Sequence, residues 1–301
     1  MRFILIRGIF VALALVISFT GARAQRVIPE NHLAFPVLFT TVSNFGSGFF
    51  LSTDDAFYFV TARHVIFDVN RGSLVAQSAQ LLSHALDAKI DRDNFFVLDM
   101  AEMLAHGLIK SNPKKDAVVV KLGAFTELLS ESFPPEHSRW FNYSPGVSAV
   151  RTAPGGVLGV AKSDLVKYDD VLIGNDLFVW GYPNSIGLAQ IPQIDSSRPL
   201  LRKGIVAGKN AALKKIIADV TTFPGNSGGP AVQVIDVGFG GKKFQIIGII
   251  SEFVPFDNAR FNLPLGEKVT ILNSGYSVIT PIDAVLELVE DDVPTGSIKK
   301  Q

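Results

Sequence analysis

The sequence predicts an all-β chain, and three observations carry that reading. Short runs rich in Val, Ile and Phe recur along its length, and Gly, Pro, Asn and Asp punctuate them. Only two stretches carry apolar residues at helical spacing. At 301 residues, with 48% hydrophobic and 19% charged residues, the chain is far from a disordered composition and long enough to bury a sizeable core in two lobes.

Taken in order, the expected strands are Phe35–Val42, Gly48–Ser52, Ala56–Thr61, Ala117–Leu122, Leu177–Trp180, Gly204–Ala207, Ala231–Val237 and Phe244–Ile250. Their spacing suits a sandwich or a barrel rather than alternating strand and helix. The two helical stretches are Asp99–Ile109 and a terminal amphipathic segment, Pro281–Val289, both expected to pack on a β core. Between Phe125 and Gly156 the breakers Pro134-Pro135, Pro145-Gly146 and Pro154-Gly155-Gly156 crowd together, which places the join between lobes there. Residues 25–150 then form an N-terminal lobe and 151–301 a C-terminal one. Asn70–Lys115 reads as an excursion between strands, with a regulatory loop as the other possibility.

Residues 1–24 read as a secretory signal: Arg2 and Arg7, an apolar run from Gly8 to Thr20, then Ala22-Arg23-Ala24 as a cleavage site. The run falls short of the ~20 residues a spanning helix needs, so no membrane association is expected after cleavage. The full chain carries 28 bases and 28 acids; losing Arg2, Arg7 and Arg23 leaves a mature balance of about −3, which points to no nucleic-acid partner. Cysteine is absent, which excludes thiol chemistry and disulfides and suits a bacterial envelope, periplasmic or secreted. The sequence leaves the oligomeric state open.

The sharpest chemical signal is Phe223-Pro224-Gly225-Asn226-Ser227-Gly228-Gly229-Pro230, a serine in a glycine-rich turn just before a β run. Glycines let the chain fold tightly enough to expose the serine oxygen, and they let successive amides converge on an oxyanion. Gly225, Asn226 and Ser227 are the candidate oxyanion-hole residues, with the amides of Gly225 and Ser227 as donors. A serine hydroxyl needs a base, for which histidine has the suitable pKa. Of five histidines, His64 stands out: it follows the β run Phe59-Val60-Thr61-Ala62-Arg63, with Gly46-Ser47-Gly48 upstream, whereas His32, His84, His106 and His137 read as ordinary satisfied residues. The imidazole in turn needs a carboxylate. Asp116 opens the apolar run Ala117-Val118-Val119-Val120 and would be costly there without a partner; Asp93 and Asp99 are weaker candidates.

Thr61-Ala62-Arg63-His64, Asp116-Ala117-Val118-Val119 and Gly225-Asn226-Ser227-Gly228-Gly229-Pro230 resemble the three signature blocks of trypsin-like peptidases, in that family's order of His, Asp and Ser. The resemblance spans roughly Phe35–Val289. It implies two six-stranded antiparallel β-barrels of the chymotrypsin type with a C-terminal helix, serine endopeptidase activity on polypeptide substrates, and no cofactor. Asn226, the missing cysteines and Gly181-Tyr182-Pro183 look closer to bacterial HtrA-type envelope peptidases than to digestive trypsins, and no PDZ-sized segment follows the last helix. Digestive enzymes carry an aspartate at the position of Asn226 that captures a newly cut N-terminus. A neutral amide makes no such ion pair, so no activating cut is expected.

The same resemblance assigns substrate-binding positions to Thr221, Phe223, Ser251, Glu252, Phe253 and Gly275. Thr221 matches the pocket floor and is uncharged; Ser251 matches the serine near the orienting aspartate, while Glu252 and Phe253 depart from the usual Trp-Gly. A shallow apolar pocket for small to medium aliphatic side chains follows. A nucleophile elbow of the α/β-hydrolase kind is disfavoured, because no histidine follows Ser227 and a β run replaces the required helix. A protease-like binding or structural protein without turnover is the remaining alternative. No H-E-x-x-H and no paired histidine spacing is present, so no metal is expected.

Overall fold

In the computed structural model the described residues are 28–29, 32, 34–85, 93–127, 139–153, 156–182, 191–238, 240–257 and 271–292. The expected signal segment, Pro134-Pro135 and His137 lie outside them.

Apolar runs become strands wherever an alternating or fully apolar face can be buried. In the first lobe these are β1 (Pro36–Thr40), β2 (Phe45–Ser52), β3 (Ala56–Thr61), β4 (Ser78–His84), β5 (Asp93–Asp99), β6 (Ile109–Asn112), β7 (Ala117–Glu127), β8 (Arg139–Tyr143) and β9 (Val147–Arg151), with the short β10 (Val160–Ala161). They form one ten-stranded sheet in the order β6-β7-β3-β2-β1-β4-β5-β9, with β8 on β7 and β10 parallel to β2. β3 is buried on both faces, which its unbroken apolar sequence allows. Its face joins an aromatic core in which Phe39 stacks on Phe59 and Phe50 packs against Phe57 and Phe96.

The second lobe is a closed antiparallel barrel of β11 (Asp176–Gly181), β12 (Leu200–Asn210), β13 (Lys215–Asp219), β16 (Ile271–Pro281), β15 (Lys242–Asp257) and β14 (Pro230–Asp236), in that order around the barrel. The period of two decides which core each residue joins. Leu177 and Val179 of β11 enter the barrel interior with Val206, Ile216 and Ala231, whereas Phe178 and Trp180 face outward and pack with the first lobe.

Among the described residues three short α-helices complete the fold: α1 (Arg63–Ile66), α2 (Met100–Ala105) and α3 (Asp283–Glu290). α2 begins where the Asp99 side chain accepts the Glu102 amide and ends at Gly107, whose φ of +68° continues no helix. α3 follows the barrel and returns to the first lobe, burying Val285, Leu286, Leu288 and Val289 in its core. Beyond α3, Asp292 accepts hydrogen bonds from Tyr58 Oη (2.9 Å) and Lys121 Nζ (2.7 Å) and pairs with Lys110 Nζ (2.9 Å).

The all-β, two-lobed class is as expected, with differences in detail. The first lobe is a half-barrel of ten strands rather than a closed barrel of six, because β9 lies on β5 and β6 caps the β7 edge. Asn70–Lys115 is no mere excursion: it supplies β4, β5, α2 and β6. The helix expected over Asp99–Ile109 is shorter, since Gly107 releases the chain into β6.

Candidate active site

β3 ends at Thr61, and the single turn of α1 lifts His64 to the rim between the lobes. Asp116 stands at the tight entry to β7 with φ at +47°, a left-handed conformation that Asp tolerates better than most residues. From there its carboxylate meets His64 Nδ1 at 3.0 and 3.2 Å and accepts the His64 backbone amide at 3.1 Å. One carboxylate thus fixes both the backbone and the ring of His64, and holds Nδ1 as the protonated nitrogen.

The turn bearing Ser227 is built by its own sequence. Pro224 and Gly225 take the two central positions of a turn closed by Asn226 N–H donating to Phe223 O (2.9 Å), and the φ of +99° at Gly225 requires glycine. The buried Asn226 side chain locks the turn again, its Oδ1 accepting the Phe223 amide at 2.9 Å. Gly228 N–H donates to Ile250 O (2.7 Å). Among the described residues the amides of Gly225 and Ser227 make no hydrogen bond within the chain, whereas that of Asn226 is committed to Phe223; of the three expected oxyanion-hole residues, two have free donors.

His64 and Ser227 line one cleft of about 550 Å³ together with Asn44, Phe45, Val65, Thr222, Phe223, Pro224, Gly225, Ile250, Ser251, Glu252, Phe253 and Pro255. Among the described residues no hydrogen bond joins His64 to Ser227 Oγ; such bonds are often long before a substrate is bound. Of the residues the sequence singled out for substrate binding, Phe223, Ser251, Glu252 and Phe253 line this cleft, and the Ser251 hydroxyl pairs with Thr280 Oγ1. Thr221 and Gly275 do not line it. They face each other, a Cβ at Gly275 standing 3.9 Å from Thr221 Oγ1, while Thr222, tied to Ser277 Oγ at 2.7 Å, lines the cleft. Sequence reasoning missed Asn44, whose Nδ2 donates to Val65 O across the base of α1 (2.9 Å); its place after a turn-forming Ser43 was the available signal.

Residues 46–236 match the trypsin-like peptidase domain family, well over half of the chain. The chain belongs to this family. The peptidase is thereby a serine-type endopeptidase, a hydrolase. Among solved structures it is similar to Deg5 (18% identity, 87% of this chain and 90% of that one, TM-score 0.47) and to a serine endoprotease from Yersinia pestis (15%, 88% and 66%, 0.43). It is also similar to the HtrA-type protease AlgW with a tripeptide (16%, 88% and 62%, 0.47). The peptidase spans less than two thirds of the last two. No curated sequence matches it. Among the described residues no group of three or more His, Asp or Glu side chains could hold a metal ion, and no helix is long and apolar enough to cross a membrane.

Proposed function

We propose that the peptidase cleaves polypeptides through an acyl-enzyme on Ser227, with His64 as base and Asp116 as the group that orients it. The observation carrying this reading is the hold of Asp116 on His64 Nδ1 beside a cleft that also contains Ser227. With Nδ1 protonated, Nε2 is left to take the proton from Ser227 Oγ as that oxygen attacks the scissile carbonyl. The unpaired amides of Gly225 and Ser227 supply the oxyanion donors, one of which is worth about 2.7–4 kcal/mol of barrier. His64 then returns the proton to the leaving amine, and water clears the acyl group.

Thr222, Ile250 and Phe253 bring uncharged side chains to the cleft, with Glu252 the one acid among its lining residues, which supports a preference for Ala, Val or Leu before the cut bond. A cleavage-site library should show that profile; dominance of Arg, Lys, Asp or Glu overturns it. The sequence of residues 1–24 supports export, so the mature enzyme works in the envelope or outside the cell.

The deciding experiment is fluorophosphonate labelling with the adduct located by mass spectrometry. A Ser227 adduct that disappears in His64→Ala is expected. No adduct on the intact chain would overturn the reading in favour of a peptide-binding protein without turnover.

A further inference from the structure

Ser47 lies in β2, in the first lobe, almost fully buried and away from the cleft lining. Every polar group it has is used. Its hydroxyl donates to Gly225 O (2.6 Å) and accepts the Tyr182 amide (2.8 Å); its own amide donates to Ser227 O (2.9 Å), and its carbonyl accepts Thr61 Oγ1 (2.6 Å). Two of these four bonds run to the turn that presents Ser227, and a third to the residue just after β11. The packing around them leaves no slack: a Cβ at Gly228 would stand 2.2 Å from Ser47 O, and one at Gly181 3.1 Å from Ser47 Oγ.

Gly225 is the most pliable residue of that turn, and its amide is one of the two donors left free. The Asn226 side chain and the Phe223 carbonyl fix the turn on either side of it. Only the Ser47 hydroxyl holds the Gly225 carbonyl among the described residues. We propose that Ser47 is a positioning residue for the reaction: from the opposite lobe its hydroxyl sets the orientation of Gly225 and so keeps the oxyanion donors aimed before substrate arrives. This rests on the acyl-enzyme reading above. Preorganised donors need no reorganisation when charge develops, so the effect belongs to the transition state and not to substrate binding.

The test compares Ser47→Ala with Thr61→Val in the full chain. Thr61→Val also strips a buried hydroxyl from this network but leaves the Gly225 carbonyl held, so it controls for a merely structural loss. Both are checked for folding by near-ultraviolet circular dichroism and assayed by rate of fluorophosphonate inactivation, whose phosphoryl oxygen occupies the same donors. Ser47→Ala is expected to lower the maximal inactivation rate about 10- to 100-fold with the half-saturating probe concentration within about twofold, while Thr61→Val stays within about threefold of wild type in both. An equal fall in the two variants, or a Ser47→Ala effect confined to half-saturation, overturns the positioning role. Unchanged inactivation in Ser47→Ala with wild type labelled at Ser227 removes this proposal alone; wild type that is never labelled removes the acyl-enzyme reading and this proposal with it.

Discussion

Asp116 serves two bonds with one carboxylate, and its left-handed backbone explains how it can. Asn tolerates the same conformation and occupies the same volume, so Asp116→Asn should fold normally. It should nonetheless lose about 10⁴ in kcat, because the amide cannot hold the required imidazole tautomer. Steady-state hydrolysis of a labelled protein substrate, with melting temperature as the control, measures both. Gly228 is a different case. At φ +83°, with a hypothetical Cβ only 2.0 Å from Thr61 Oγ1 and 2.2 Å from Ser47 O, it can accept no side chain. Gly228→Ala should cost about 3 kcal/mol or more in urea unfolding, since both the backbone and its surroundings resist. At Asn226 the amide already satisfies its own turn, which leaves nothing for a newly cut N-terminus to complete. Accordingly the purified protein should be labelled at full rate without an activating cut ahead of β1, as N-terminal sequencing of the labelled product would reveal.

The β4–β5 pair carries a second histidine–aspartate contact, far in sequence from the first. His84 Nδ1 faces Asp93 Oδ1 at 2.9 Å and the guanidinium of Arg198, which reaches in from the segment before β12. Burial, then the charge of Arg198, push His84 below the ordinary histidine value of 6.5, and Asp93 opposes them only in part. Burial lowers His32 as well, against the pull of Asp164. A histidine depressed in the folded state stays neutral there while the unfolded chain takes up a proton. Its contribution is therefore complete above about pH 6.5 and is lost as pH falls below that value. Unfolding by urea at pH 7.5 and at 5.5 should show the drop, and His84→Gln should flatten it without abolishing it, since His32 remains. Elements such as these also mark where the sequence was legible. Ala56–Thr61 was found to the residue because it is apolar up to its last position, and Phe59 to His64 located the histidine. Ser78–His84 was missed although Ala79 and Leu81 alternate with exposed Ser78 and Gln80, because small and polar residues dilute its β signal. The resemblance pointed to Thr221 alone; Thr222 lines the cleft, and nothing in the spacing along the chain reveals that its hydroxyl is the one that meets Ser277.

At the scale of the whole molecule the site belongs to neither lobe. His64 and Asp116 come from the half-barrel, Ser227 from the barrel, and the two are fastened at Ser47 and again at the far end of α3. Burial alone would raise the Asp292 carboxyl, but hydrogen bonds from Lys121, Lys110 and Tyr58 outweigh it and hold it below the ordinary 3.8, so its contribution persists above that pH and fades beneath it. Asp292→Asn should destabilise the chain at pH 7 by about 2 kcal/mol in urea unfolding, and the difference from wild type should shrink toward pH 3. The place of α3 in the chain also sets an order of events during synthesis. A ribosome releases β1 to β7 first, then Ser227, and only some sixty residues later, by sequence position, the Asp292 that ties the barrel back onto β7. Until that residue emerges the two lobes have only the fastening at Ser47, so in a nascent chain His64 and Ser227 sit on lobes tied at one point, and the second tie is among the last features the growing polypeptide acquires.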